Sequence, residues 1–176
     1  MASNPGRGAR PTRVLFVCWG NICRSPTAEA VLRAALEREG LAHLIEVDSA
    51  GVSDEHAGDP PDRRAVAAAA RRGLDLGGRR ARVVRPDDFE RFDLMLVSDA
   101  LVERVLRSAA PESRRSGIRR MTDFVAGDDA PHEVPDPYYG GADGFAAVLD
   151  LLERACAGLI EHLGSDLDRA DGAPPR

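Results

Sequence analysis

Cys18 and Arg24 lie within one short run, Val17-Cys18-Trp19-Gly20-Asn21-Ile22-Cys23-Arg24-Ser25-Pro26, where an apolar segment gives way to a helix start. A thiolate is a strong nucleophile, and a guanidinium presents a planar fork that matches two phosphate oxygens where an ammonium is only a point charge. A tight loop at a strand-to-helix junction turns its backbone N–H groups inward, and the helix N-terminus adds roughly half a positive charge, so such a loop is an anion cradle. Trp19, Gly20, Asn21, Ile22, Cys23, Arg24 and Ser25 would line it. Gly20 and Asn21 are residue types suited to the positive φ angles a cradle requires. Thiols at helix N-termini titrate at roughly 3.5–7.5 rather than about 8.5, which makes Cys18 the expected nucleophile. Ser25 is placed to donate its hydroxyl to that sulfur and ease its later departure. A Cys and an Arg at this spacing arise by chance in an Arg-rich chain, so the surrounding strand, loop and helix start carry the assignment.

The elements that must hold this loop are legible on both sides of it. Residues 14–17 (VLFV) form a continuous β-favouring run, as expected for a strand buried on both faces. Ser25-Pro26 reads as a helix N-cap and first helical residue, followed by Ala28, Val31, Leu32, Ala35 and Leu36 at helical spacing and a stop near Gly40. A second strand at 45–50 precedes the breaker Gly58-Asp59-Pro60-Pro61 and an Ala-rich helix over 62–72 stopped by Gly73. Residues 93–97 supply a third strand, 100–107 a helix and 118–121 a weaker fourth strand. Residues 126–142, dense in Gly, Pro and Asp, form a long loop before a final helix over 143–163; a loop of that length within a compact domain is usually functional. Strands alternating with helices predict parallel pairing through helical crossovers. Residues 13–164 read as one domain, with 1–12 and 165–176 as flexible polar tails.

Composition narrows the possible partners. The net charge is -5 across 176 residues, which disfavours nucleic-acid binding. All 24 cationic residues are Arg, a coding bias that points to a bacterial source. The pairs Arg71-Arg72, Arg79-Arg80, Arg114-Arg115 and Arg119-Arg120 read as solvated faces. Three cysteines are too few for a secreted disulfide scaffold and suit a reducing cytosol. No apolar stretch long enough to cross a membrane is present, and the first dozen residues lack a signal-peptide core. The expected location is cytoplasmic, with no membrane partner and a monomer or weak dimer. His43, His56, His132 and His162 have no ligand spacing, so no metal site is expected.

The run CWGNICRSPTAEA behind an apolar strand resembles the active-site signature of the low-molecular-weight protein tyrosine phosphatases. The resemblance spans roughly residues 13–163. It takes in Val47-Asp48-Ser49-Ala50-Gly51, the segment from Gly58 to Ala65, Arg80-Ala81-Arg82, residues 89–97 and Val134-Pro135-Asp136-Pro137-Tyr138-Tyr139. It implies an α/β fold with a single four-stranded parallel sheet flanked by helices, flavodoxin-like, and the catalytic loop after the first strand. By similarity Cys18 is the nucleophile, Arg24 binds the phosphoryl group and Asp136 is the general acid, while Asn21 and Ser25 support the loop. A carboxyl on a loop stiffened by Pro135 and Pro137 can protonate the leaving oxygen and then deprotonate the hydrolytic water. No metal or cofactor is implied, because the guanidinium and loop amides neutralise the phosphoryl oxygens. The implied substrate is a phosphotyrosine protein or a small phosphoester, hydrolysed through a cysteinyl-phosphate intermediate. Trp19, Tyr138 and Tyr139 would flank an aromatic leaving group. Glu55 departs from the family pattern, where an aromatic residue is common, and bears on substrate choice. Asp99 takes a supporting role; Cys23 is either a filler or, as the resemblance suggests, a reversible disulfide partner for Cys18, and Cys156, on the apolar face of the last helix, has a place in the core. The competing activities are a thiol-dependent arsenate reductase, which needs further cysteines to relay a disulfide, a protein arginine phosphatase and a non-catalytic phosphoanion-binding regulator.

Overall fold

The computed structural model describes residues 10–170. Strands β1 (Thr12–Cys18), β2 (Ile45–Gly51), β3 (Leu94–Val97) and β4 (Ile118–Arg120) form one four-stranded sheet in the order β2-β1-β3-β4, every pair parallel. Parallel neighbours need crossovers. These are α1 (Arg24–Glu39) from β1 to β2, α2 (Arg63–Ala70) with the one-turn α3 (Asp88–Arg91) from β2 to β3, and α4 (Ala100–Ala109) from β3 to β4. Helix α5 (Ala142–Ala170) then returns along the sheet face that carries α1.

β1 is one of the two interior strands, and its side chains alternate between two cores because successive strand residues point to opposite faces. Val14 and Phe16 join Leu32 and Leu36 of α1 and Leu149, Leu152 and Leu159 of α5 on one side. Leu15 and Val17 join Phe89, Val102, Leu106 and Ile118 on the other. Burial on both sides explains why this strand reads as an unbroken apolar run rather than an alternating one. The four-stranded parallel architecture expected from the sequence is the one observed.

Several boundaries differ from the sequence reading. Helix α1 starts at Arg24 with Cys23 at the cap position and no side chain capping it, so Ser25 is not the N-cap; its hydroxyl is drawn to the end of β1 instead. Helix α2 stops at Ala70, and the chain turns before Gly73 at φ 72°. α5 continues past Gly164 to Ala170, because a glycine lowers helix propensity by about 1 kcal/mol without forbidding the helix. Thr12 belongs to β1, and Arg10 pairs with Asp93 at 2.6 Å. The rest of both predicted tails, 1–9 and 171–176, lies outside the described residues. Gly158 marks the tightest packing: a Cβ there would sit 1.9 Å from the Phe124 carbonyl oxygen, so α5 can approach the short 3-10 turn Met121–Phe124 only without a side chain.

Candidate active site

Cys18 is the last residue of β1 and Arg24 the first of α1, so residues 19–23 close a loop at the carboxyl end of the sheet, the usual place for α/β sites. Asn21 holds φ at 56°, the only non-glycine residue with positive φ among those described, and its backbone N–H points to Cys18 Sγ at 3.3 Å. Gly20, expected to share that conformation, is not a positive-φ residue. A Cβ there would meet His56 Cδ2 at 2.9 Å, so a side chain at this position would require the His56 ring to shift. Because no side chain caps α1, the free N–H groups of its first turn are available to an anion.

A chain of hydrogen bonds fixes the orientation of every donor behind the sulfur. The Glu29 carboxylate can only accept, so Ser49 Oγ donates to it at 2.6 Å. Ser49 Oγ therefore accepts from Asn21 Nδ2 at 3.0 Å. The Arg82 N–H donates to Asn21 Oδ1 at 3.0 Å, which sets the amide orientation. The second Nδ2 hydrogen goes to Ser25 Oγ at 2.9 Å, which frees the Ser25 proton for Cys18 Sγ at 3.0 Å or the Ala50 carbonyl at 3.2 Å. A thiolate is the stronger acceptor of the two, so the hydroxyl turns to sulfur when Cys18 is ionised. All members from Asn21 to Ser49 and Glu29 are buried, where satisfied networks are rigid.

Arg24 is only 4% exposed. Both Nη1 hydrogens are engaged, one by Asp99 Oδ2 at 2.7 Å and one by the Val134 carbonyl at 3.1 Å. Nη2 reaches Asp136 Oδ2 at 3.4 Å. Among the described residues the Nε–H and the remaining Nη2–H have no partner and form a fork for two oxygens of one anion. Asp99 also caps α4, accepting from Val102 N at 2.8 Å. Burial raises its pKa, but the Val102 N–H, the Arg24 charge and hydrogen bond, and Ser98 outweigh that and hold it below the ordinary carboxylate range. Asp99 thus does more than the general support its sequence position suggested.

The cleft over this loop has a volume of about 80 Å³. Cys18, Trp19, Gly20, Ile22, Cys23 and Arg24 line it from the loop and helix start, with Glu55, His56, Asp136, Tyr138 and Tyr139 around them. The sequence-predicted residues Cys18, Arg24, Asp136, Trp19, Glu55, Tyr138 and Tyr139 are thereby brought together. Tyr138 accepts no phenolic role in packing the core; it is half exposed, edge-on to Tyr139 with ring centres 5.0 Å apart, and Tyr139 is 91% exposed. Asp136 Oδ1 accepts from Tyr138 N at 3.1 Å, a local turn that orients the carboxyl.

Sequence reasoning missed His56, which lines the cleft with Nδ1 3.2 Å from Asp59 Oδ2. It also missed Arg64, Ser49 and Glu29, which act from outside the loop; the one available signal was their membership of the segments carrying the resemblance. Arg79, read as part of a solvated face, instead brings a buried Nε within 3.3 Å of Glu29. Cys23 and Cys156 are buried free thiols. Burial, with the Asp62, Cys18 and Asp136 charges adding and Arg64 opposing, pushes the Cys23 thiol up. Burial does the same to Cys156, which packs against α1 with Sγ 3.8 Å from the Ala28 carbonyl.

Comparison with known proteins agrees with this geometry. The family described as low molecular weight phosphotyrosine protein phosphatase matches residues 13–169. A low-molecular-weight protein-tyrosine-phosphatase of Streptomyces coelicolor is 47% identical over 152 residues, covering 84% of this chain and 91% of that one. One of Bacillus subtilis is 41% identical over 150 residues, covering 85% and 94%. The crystal structure of a protein tyrosine phosphatase from Entamoeba histolytica superposes with a TM-score of 0.84 at 39% identity, covering 87% of this chain and 97% of that one. The chain belongs to the low-molecular-weight phosphotyrosine protein phosphatase family.

Proposed function

We propose that this enzyme hydrolyses phosphotyrosine-type monoesters in two displacements at phosphorus, with Cys18 as nucleophile, Arg24 as phosphoryl clamp and Asp136 as proton donor and then acceptor. The observation that carries the reading is the convergence on one cleft of a sulfur held by Ser25 and Asn21, a guanidinium with two free donors and a loop carboxyl. In the first step Cys18 Sγ attacks phosphorus, the bond to the aryl oxygen breaks, and that oxygen takes the Asp136 proton. In the second, Asp136 removes a proton from water, the water oxygen bonds to phosphorus, and the P–S bond breaks to return the thiolate, stabilised by the Ser25 hydroxyl and the Asn21 N–H. Phosphoryl transfer needs chiefly positioning and charge stabilisation, which the Trp19–Ser25 loop and Arg24 supply.

Trp19, Tyr138 and Tyr139 flank the leaving group, and a flat ring fits between them. Arsenate reduction is the weaker reading, because Cys156 lies in the core between α1 and α5 rather than within reach of a disulfide relay from the cleft. Cys23 serves as the reversible disulfide partner of Cys18 under peroxide; loss of two titratable thiols, restored by dithiothreitol and absent in Cys23→Ser, tests this. The three free thiols suit a reducing cytosol.

Turnover of p-nitrophenyl phosphate without added metal tests the mechanism. Cys18→Ser is expected to remove it to background, and Asp136→Ala to lower kcat/KM by roughly 10²–10⁴ on poor leaving groups. Full activity in Cys18→Ser would end the reading.

A further inference from the structure

Asp136 is half-exposed on a loop that packs little of itself into the core, yet a general acid must be held within hydrogen-bond reach of the oxygen it protonates. On the N-terminal side the loop is anchored at Val134, which is fully buried, donates its N–H to the Ser98 carbonyl at 2.8 Å and accepts from Arg24 at 3.1 Å. On the C-terminal side the backbone hydrogen bonds of residues 137–144 close within the loop itself. Among the described residues, the side-chain hydrogen bonds from outside onto the Tyr138 and Gly140 backbone come from Arg64, beside a ring contact between His56 and Tyr138 with centres 6.0 Å apart.

Arg64 is in the first turn of α2. Its Nε and Nη2 grip both oxygens of Asp62, at 3.0 and 2.8 Å. Its Nη1 donates to the Tyr138 carbonyl at 2.9 Å and the Gly140 carbonyl at 3.4 Å. The guanidinium carbon lies 5.4 Å from the Tyr138 ring centre and 4.7 Å from that of Phe145, a buried residue of α5, within the range of cation–π attraction. Asp62 in turn donates its backbone N–H to the Ile22 carbonyl at 2.8 Å, inside the phosphate-binding loop. A continuous strut therefore runs from Ile22 through Asp62 and Arg64 to the two carbonyls just beyond Asp136. A lysine would not reproduce it, since the fork holds Asp62 along one edge while the remaining nitrogen serves the loop.

We propose that Arg64 is the positioning residue of the proton donor, setting the distance between the Asp136 loop and the phosphate-binding loop through Asp62. This rests on Asp136 being the general acid. Arg64 is not among the residues that line the cleft, and its effect reaches the reaction only through the placement of Asp136.

The experiment compares kcat/KM for p-nitrophenyl phosphate, whose leaving group needs little protonation, with phenyl phosphate, whose leaving group needs much. It uses the wild type, Arg64→Gln, Arg64→Lys, Asp136→Asn and the Arg64→Gln/Asp136→Asn double variant. Inorganic phosphate inhibition is measured on each as a report on the phosphate-binding loop. Arg64→Gln is expected to lose about tenfold or more on phenyl phosphate, within the roughly 10²–10⁴ a general acid contributes, and clearly less on p-nitrophenyl phosphate. Phosphate inhibition should change by no more than about twofold, and Arg64→Gln should add almost nothing in the Asp136→Asn background, the non-additivity of residues acting through one another. Arg64→Lys should show the same leaving-group pattern to a smaller degree, and supplies the answer should the Gln variant fold poorly. Equal losses on the two substrates, or an Arg64→Gln loss undiminished when Asp136 is already Asn, would overturn the proposal while leaving the acid assignment intact. An Asp136→Asn variant with no leaving-group dependence would overturn the acid assignment, and Arg64's role with it.

Discussion

At the scale of single residues, the directed hydrogen bonds behind Cys18 give Ser25 a specific task. Its one proton is steered toward sulfur because Asn21 occupies its lone pair. In the proposed two-step reaction, that bond serves the sulfur as it departs from phosphorus as a thiolate. Ser25→Ala is therefore expected to slow breakdown of the cysteinyl-phosphate more than its formation: kcat falls by about 10- to 100-fold, the scale of one charge-assisted hydrogen bond at about 1.5–3 kcal/mol, and burst kinetics with p-nitrophenyl phosphate reveal an accumulated intermediate. Absence of a burst would place the Ser25 contribution elsewhere. Glu55 acts at the cleft wall, where its exposed carboxylate faces whatever flanks the phosphotyrosine. Phosphopeptides with Arg or Lys beside the phosphotyrosine should outperform those with Glu by a few-fold, an advantage that shrinks with salt and in Glu55→Gln, since an exposed ion pair is worth about 0.2–1 kcal/mol. Ranked kcat/KM values for such a peptide pair decide it.

At the scale of elements, helix termini do the chemical work. The N-terminus of α1 is left without a side-chain cap and serves the anion site, whereas α4 is capped by Asp99, whose second oxygen immobilises Arg24. One carboxylate thus ties the element after β3 to the loop after β1. Packing outside the cleft depends on a different contact, the seating of α5 on the 3-10 turn at Met121–Phe124. Gly158→Ala places a methyl carbon against backbone that cannot swing aside. The expected cost is about 1–3 kcal/mol, the usual penalty of overpacking, read as a lower urea midpoint with little change in kcat, because neither Gly158 nor the Met121–Phe124 turn lines the cleft. An unchanged midpoint would mean that α5 shifts freely at this point.

For the whole molecule, acid stability follows from carboxylates held below their ordinary range. Burial raises Asp99, Asp93 and Glu103. The Val102 N–H and Arg24 outweigh it at Asp99, Arg10 and the Arg13 N–H at Asp93, and Arg120 with Arg107 at Glu103. Because the folded pKa lies below the unfolded value of about 3.9 for Asp and 4.3 for Glu, the unfolded chain binds more protons near that pH. The contribution is then complete above roughly pH 5 and declines as pH falls through 4 toward the folded values. Asp99→Asn should lower stability near neutrality and flatten this decline; an acid limb as steep as in the wild type would exclude Asp99 as its source. Much of this protein was legible without coordinates. The β1 run, the helix that follows and the loop between them are local in the chain, and a residue pattern that must place a thiol and a guanidinium around one anion leaves few alternatives. The parallel sheet followed for the same reason, from strands and helices that alternate. What the chain order could not reveal is which distant residues complete the site. Glu29 and Ser49 orient Asn21, Asp99 and Val134 immobilise Arg24, His56 packs closely against Gly20, and Arg64 steadies the loop of Asp136. Each meets its partner only because parallel crossovers bring the carboxyl ends of neighbouring strands together, and hydrogen bonds between side chains far apart in sequence leave no periodicity to read. Ser25 illustrates the divide: its residue type suits a helix cap, and only the proximity of Cys18 and Asn21 in the fold turned its hydroxyl to the sulfur.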